Sequence, residues 1–222
     1  MEAKETLEIR VTRDGSRTLF NPATNEPYHS LHGAATESRH VFIEAGLKAV
    51  EGKHARVLEV GLGTGLNLLL TLEEAQRSGR SVDYVAVEPH RLSAEVLNAI
   101  DHCGALGLEQ LRAAYDECMA ATSAWITDRV PLTCIIAHDL GAVADGPFDV
   151  VYFDAFAPGV EPALWSEEVF ARLFMLMRPG GVLVTYCVKG DVKRALKRCG
   201  FGLQRLKGPR GKREMLRAQR PL

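Results

Sequence analysis

VLEVGLGTGLN, residues 57–67, joins an apolar strand to a helix through Gly61, Gly63 and Gly65. Glycines at such a join let the backbone pass close to a ligand and adopt dihedrals closed to other residues. The spacing is GxGxG and not the GxGxxG of dinucleotide sites, because position 66 is Leu. Glu59 stands just ahead of the loop, where a carboxylate would repel a pyrophosphate. An acid there suits the cationic amino-acid end of S-adenosylmethionine better.

Outward from this loop, apolar strands alternate with helical stretches. Strands are expected at Arg56–Val60, Val82–Val87, Leu132–Ala137, Phe148–Asp154 and 180–187, and helices at Leu66–Arg77, Leu92–Ile100, Glu109–Trp125, Glu167–Met177 and 190–198. Ser166 can cap the helix that starts at Glu167. This alternation predicts a mostly parallel sheet covered on both faces. Ahead of it, LEIRVT (7–12) and RTLF (17–20) read as a hairpin across Asp14-Gly15, followed by a helix from Ala35 to Val50. FGLQRLKG and KREMLRA read as a closing hairpin around Gly208–Gly211.

Two further acids fall at strand ends. Glu88 ends YVAVE, where a carboxylate can accept from both ribose hydroxyls, and Asp139 follows CIIAH, where one can accept from an adenine amino group. Glu59, Glu88 and Asp139 would line the crevice at which open α/β sheets bind ligands. Thr64 and Asn67, in the glycine loop and at the start of its helix, complete the expected cofactor set. The fold expected is α/β: a Rossmann-like class I S-adenosylmethionine-dependent methyltransferase with a mostly parallel seven-stranded sheet, a C-terminal antiparallel hairpin and a small N-terminal β-hairpin. Residues 1–54 would form the extension and 55–222 the methyltransferase domain. NAD is the alternative cofactor that the loop spacing and Glu59 disfavour.

FDVVYFDAFAP (148–158) ends in Asp154, Phe156 and Pro158, a polar residue followed by an aromatic and a proline, as in amino-directed methyltransferases. A primary amine of pKa near 10.4 costs about 4.6 kcal/mol to deprotonate at pH 7, and desolvation supplies part of that. A carboxylate alone would hold the ammonium form more tightly. Asp154 is therefore expected to stabilise positive charge as it develops on nitrogen during in-line attack, and to pass the amine's first proton on. Phe156 could add a cation–π contact or pack beside a base.

The whole chain of 222 residues carries 27 basic and 28 acidic side chains, a formal charge of -1 that by itself disfavours a nucleic-acid partner. The average conceals a division. Residues 189–222 hold twelve bases, among them Lys189, Lys212 and Arg213, against two acids, a balance of +10, while the other 188 residues hold 15 bases and 26 acids, or -11. That asymmetry points to a polyanion, RNA or DNA, docking at one end. Five scattered cysteines without a CxxC suit a reducing cytoplasm. His29, His32 and His40 have no nearby Cys to complete a metal set, so no metal is expected and loop or substrate-facing roles are. No apolar run reaches the roughly 20 residues of a membrane span, and the charged first 20 residues do not read as a secretory signal.

With these residues assembled, the chain resembles the methyltransferase half of the bifunctional tRNA 5-methylaminomethyl-2-thiouridine biosynthesis enzymes. The likeness runs through YHSLHGAATESRHVFIEAGL (28–47), including Glu37 and Phe42, then EVGLGTGLN, FDAFAP with Leu164-Trp165, RPGG (178–181) and GPRGKREML (208–216). Family members often read Asp-Gly-Phe-Ala-Pro with a following lysine, whereas Ala155 replaces that glycine here and Val160-Glu161 fill the later positions. The resemblance implies N-methylation of 5-aminomethyl-(2-thio)uridine at the tRNA wobble position, with Asp154 facing the amine. It implies S-adenosylmethionine held by Glu59, Gly61, Gly63, Thr64, Gly65, Asn67, Glu88 and Asp139. Phe42, Phe156, Pro158, Lys189, Lys212 and Arg213 would face the tRNA anticodon loop. The flavin oxidase half of the fused enzymes finds no second glycine fingerprint here, so no flavin is expected. A cytoplasmic protein is expected, with oligomeric state open and a monomer compatible. The rival reading is an aminopropyltransferase resembling spermidine synthase, for which the basic tail would make a poor polyamine channel.

Overall fold

The computed structural model describes residues 7–120, 125–127, 132–143 and 146–222. Residues 8–27 form a small antiparallel sheet of β1 (Glu8–Val11), β2 (Arg17–Asn21) and β3 (Glu26–Pro27). The expected hairpin is there, and β3 adds a third strand. Its turn is tied by Asp14, whose carboxylate accepts from Ser16 Oγ at 2.5 Å and from the Thr36 N–H at 2.8 Å.

The expected helix from Ala35 to Val50 is broken. It consists of α1 (Ala34–Ser38), a widened π-type turn at Arg39–Glu44 and a 3-10 turn at Leu47–Ala49. Gly46 explains the break: a Cβ there would lie 2.4 Å from the Phe42 carbonyl oxygen and 3.0 Å from Val184. The chain turns hard against the sheet where no side chain fits.

The main sheet is built from β4 (His54–Val60), β5 (Ser81–Val87), β6 (Trp125–Thr127), β7 (Leu132–Ala137), β8 (Phe148–Phe153), β9 (Met177–Thr185), β10 (Gly202–Lys207) and β11 (Glu214–Gln219). Their order is β10-β11-β9-β8-β4-β5-β7-β6. The pairs among β9, β8, β4, β5 and β7 are parallel, and β6, β11 and β10 pair antiparallel. The architecture is the one expected, but with eight strands and not seven. The extra strand replaces the end of the predicted helix Glu109–Trp125: α5 covers only Arg112–Ala120, and Trp125-Ile126-Thr127, β-branched and aromatic, pair with β7.

Helices cover both faces. On one, Val57, Tyr84, Val150 and Val184 pack with Leu68, Leu69 and Leu72 of α2 (Leu66–Ser78) and with Val41 and Phe42. On the other, Leu58, Val151, Phe153 and Leu183 meet Phe170 and Leu173 of α6 (Glu167–Leu176) and Leu196 of α7 (Gly190–Arg198). Every residue of β8 is buried, and each such Val or Phe contributes about 1.5–3 kcal/mol. The short α3 (Ala94–Ile100) and α4 (His102–Leu106) follow β5. Among the described residues no helix is long and apolar enough to cross a membrane.

Successive crossovers carry the chain from β4 to β5 and β7 on one side, and through β8 to β9 on the other. The crevice therefore opens at the carboxyl ends flanking β4. Three backbone bonds hold these ends in register: Gly61 N–H to Val87 O at 3.0 Å, Asp154 N–H to Val60 O at 2.9 Å and Glu88 N–H to Ala137 O at 2.9 Å.

Candidate active site

The glycine loop is shaped by close approach. Gly61 has φ +91, and a Cβ on it would lie 2.8 Å from the Asp154 carbonyl oxygen. Gly65 has φ +69, caps α2, and a Cβ there would sit 2.4 Å from Met119 Sδ. Above the loop lies a cavity of about 570 Å³, walled by Gly61, Gly63, Glu88, Asp139, Asp154 and Phe156 among others. Glu88 fixes the loop, since its Oε2 accepts from Gly63 N–H at 2.9 Å and its Oε1 from His90 N–H at 2.8 Å. Asp139 stands exposed at the rim, where its Oδ1 accepts from Ala142 N–H at 2.9 Å.

Not all of the expected cofactor residues face this space. Glu59 is fully buried beneath the loop, accepting from Tyr84 OH at 2.6 Å and Asn67 Nδ2 at 2.8 Å. Burial pushes its pKa well above the usual carboxylate range, against the opposing pull of those two hydrogen bonds. Thr64 is also buried, bonded through Oγ1 to His102 at 2.8 Å and through its carbonyl to Tyr115 OH at 2.6 Å. Asn67 links Glu59 to the opposite end of the site, its Nδ2 also donating to Asp154 Oδ2 at 2.8 Å.

Asp154 projects from the end of β8 with 11% of its side chain exposed. Burial pushes its pKa up to about 8; the Asn67 hydrogen bond opposes that, the Glu37 charge adds to it and Lys212 pulls the other way. Its loop is fastened by Tyr186 OH to Ala155 O at 2.9 Å and Trp165 Nε1–H to Phe156 O at 2.8 Å. Phe156 meets Tyr28 edge-on at 4.9 Å, and Phe42 packs against Tyr152 at 5.3 Å while also lining the cavity.

Lys212 is not turned outward. Its ammonium pairs with Glu37 Oε1 at 2.5 Å and lies 4.3 Å from the Tyr186 ring centroid, on the cavity wall. Arg213 and Lys189 are exposed and, like Pro158, do not line the cavity. The three N-terminal histidines diverge: His40 Nε2 bonds Lys207 O at 2.7 Å, His32 packs on Gly211, and His29 sits 3.8 Å from Asp154. Tyr28 and Tyr186 carry no site signal of their own in the sequence, whereas His29 is open there to a loop or substrate-facing role and Glu37 falls in the family-like stretch YHSLHGAATES, which also contains Tyr28. Between α1 and the β10–β11 turn is a second, shallower cavity of about 470 Å³, lined by Thr36, His40, Lys207 and Arg210 among others.

A family profile described as S-adenosyl-L-methionine-dependent methyltransferase matches residues 108–221, just over half of the chain. The chain belongs to this family. The methyltransferase is 33% identical over 218 residues to the tRNA 5-methylaminomethyl-2-thiouridine biosynthesis bifunctional protein MnmC of Ralstonia nicotianae, covering 92% of this chain and 33% of that protein. It is 35% identical to the protein of that name from Magnetococcus marinus, covering 90% of this chain and 32% of that protein. It thus spans about a third of the length of these relatives. Among solved structures it superposes on MNMC2 from Aquifex aeolicus with a TM-score of 0.78 and 25% identity, covering 98% of this chain and 72% of that one. Spermidine synthase from Thermotoga maritima, with a TM-score of 0.61 and 14% identity over 96% of this chain and 68% of that one, shares the fold.

The residues of the methyltransferase fit S-adenosylmethionine. The Gly61 and Gly63 backbone borders the cavity; a Cβ on Gly61 would collide with the Asp154 carbonyl oxygen, and one on Gly63 would crowd the Tyr28 ring at 3.2 Å. Glu88, its oxygens already oriented by two backbone N–H groups, keeps lone pairs that could accept from ribose hydroxyls. Asp139 could meet the adenine at the rim. Glu59 and Asn67 support the loop and Asp154 from below, without cavity contact of their own.

Proposed function

We propose that this methyltransferase N-methylates the primary amine of 5-aminomethyl-(2-thio)uridine at the tRNA wobble position, giving the methylaminomethyl form. The observation that carries the reading is a buried carboxyl of pKa about 8 at the end of β8, beside the cofactor cavity. The names of the relatives that match nine-tenths of the chain support the substrate.

When bound, S-adenosylmethionine supplies an electrophilic methyl group on a sulfonium. Gly61, Gly63, Glu88 and Asp139 would hold it, and Asp154 would receive the amine. As carboxylate, Asp154 takes a proton from the substrate ammonium, and a pKa near 8 makes it a better acceptor than an ordinary aspartate. The amine so freed would be the nucleophile presented to that methyl group, and the bound cofactor would supply the leaving sulfur, which keeps the electron pair of the C–S bond. With that proton passed on to solvent, the Asp154 carboxylate and the Phe156 ring would face the positive charge that develops on nitrogen, and Asn67 holds the carboxyl in place.

The RNA would lie over the basic C-terminal segment. Lys207 and Arg210 at the second cavity and the exposed Arg213 beside it suit backbone phosphates, while Lys212, which lines both cavities, is paired with Glu37 toward the substrate side. Incubation of the chain with S-adenosylmethionine and tRNA bearing 5-aminomethyluridine, followed by nucleoside mass spectrometry, tests the reading. Conversion to the methylaminomethyl nucleoside is expected. Unchanged nucleosides would reject it.

A further inference from the structure

His29 is a polar side chain of the cavity to which the reaction above gives no task. It follows β3 and is anchored through its backbone N–H, which donates to Thr18 Oγ1 at 2.9 Å. The side chain is 8% exposed, lines the cavity, and places Nε2 at 3.8 Å from Asp154 Oδ2, too far for a direct hydrogen bond. Nδ1 is sealed from solvent and has no hydrogen-bond partner among the described residues. Burial pushes the ring's pKa down to about 4, with Glu37 opposing and Lys212 adding to the shift. The imidazole is therefore neutral at pH 7 and carries one proton on one of its two nitrogens.

The surroundings choose which. A buried N–H without an acceptor is rarer and costlier than a bare acceptor lone pair. The proton accordingly sits on Nε2, making His29 a fixed donor beside the carboxyl that receives the amine. In a 5-aminomethylpyrimidine, the ring carbon next to the one bearing the arm carries an oxygen in uracil and an amino group in cytosine. Because Nε2 lies 3.8 Å from Asp154 Oδ2 on the same cavity wall, an amine seated at Asp154 could present that substituent to His29.

We propose that His29 is a specificity-determining residue that donates from Nε2–H to the 4-keto oxygen of the substrate base and so selects uracil over cytosine. The assignment rests on the aminomethyluridine reading. A cytosine amino group would meet Nε2–H donor to donor, and escape into the other tautomer would bury Nδ1–H without an acceptor. Leaving such a group unpaired corresponds to about 10- to 100-fold in kcat/KM.

The test uses the whole chain with S-adenosylmethionine and two stem-loop RNAs that differ only in carrying 5-aminomethyluridine or 5-aminomethylcytidine at the acceptor position. The unsubstituted chain should favour the uridine RNA by about 10- to 100-fold. His29→Ala should bring the ratio near unity, chiefly by losing turnover on the uridine RNA, while the activity limb set by Asp154 near pH 8 remains. His29→Gln, whose amide can donate or accept, should give an intermediate ratio and decides the matter if the alanine variant does not fold. An unchanged ratio in the folded variants, or no preference in the unsubstituted chain, would overturn the role of His29 alone. Absence of turnover on the uridine RNA by the unsubstituted chain would overturn the function itself, and the assignment with it.

Discussion

Asp154 and Glu59 are two buried carboxyls joined through one amide, Asn67, and their burial sets what each can do. Asp154→Asn should lower kcat by about 10²- to 10⁴-fold while cofactor affinity, measured by calorimetry, stays within about threefold. The rate on the aminomethyl substrate should rise with pH through about 8 as Asp154 loses its proton, and the asparagine variant should lack that limb. Stability should move the other way. Asp154 holds its proton to about 8 when folded but only to 3.8 when unfolded, so the folded state binds more protons across that window and loses stability as pH rises through it. His29 and His102, with folded values near 4 and 3 against 6.5, oppose this only below about 6.5. Between pH 6.5 and 8, Asp154→Asn should therefore flatten the fall in stability by about 2 kcal/mol. Denaturant titrations at the two pH values check it, and parallel slopes would refute the assigned protonation.

At the scale of elements, the strands and the glycine loop were legible because buried parallel strands are continuous apolar runs and the loop glycines are dictated by backbone proximity. Gly61→Ala makes the second point testable. Its Cβ would meet backbone at Asp154, not a movable side chain, so the ends of β4 and β8 must separate. Both stability, by about 1–3 kcal/mol, and cofactor affinity should fall. A variant with unaltered cofactor binding would show that the loop does not press on the ligand. The segments misread were those where a non-local contact overrides local preference. The stretch from Ala35 to Val50 scans as one helix, but Gly46 must pass within reach of Phe42 O, Val184 and Tyr152. Residues 125–127 follow a good helix former, yet edge pairing with β7 claims them.

For the whole molecule, the charge division separates into two tasks. Among the described residues the cavity is lined by one lysine and no arginine, Lys212, which is paired with Glu37, while Lys207, Arg210 and Arg213 lie exposed on the outer surface near it. Arg210→Glu with Arg213→Glu should weaken RNA binding and reduce its salt slope by about 1–2, leaving the pH profile intact. Lys212→Ala should instead shift the Asp154 limb to higher pH, since this cation is one of the groups that lower it, with little change in the salt slope. Interchanged results would return Lys212 to the RNA surface. The sequence by itself determined the α/β order, the glycine loop, the strand-end acids Glu88, Asp139 and Asp154, and the basic end, because each is written in contiguous residues. Only the tertiary structure decided that Glu59 lies under the loop, that Lys212 turns inward to Glu37, and that His29 stands beside Asp154. The last two placements depend on segments 125 and 175 positions apart in the chain meeting in one crevice, and no local pattern encodes such a meeting.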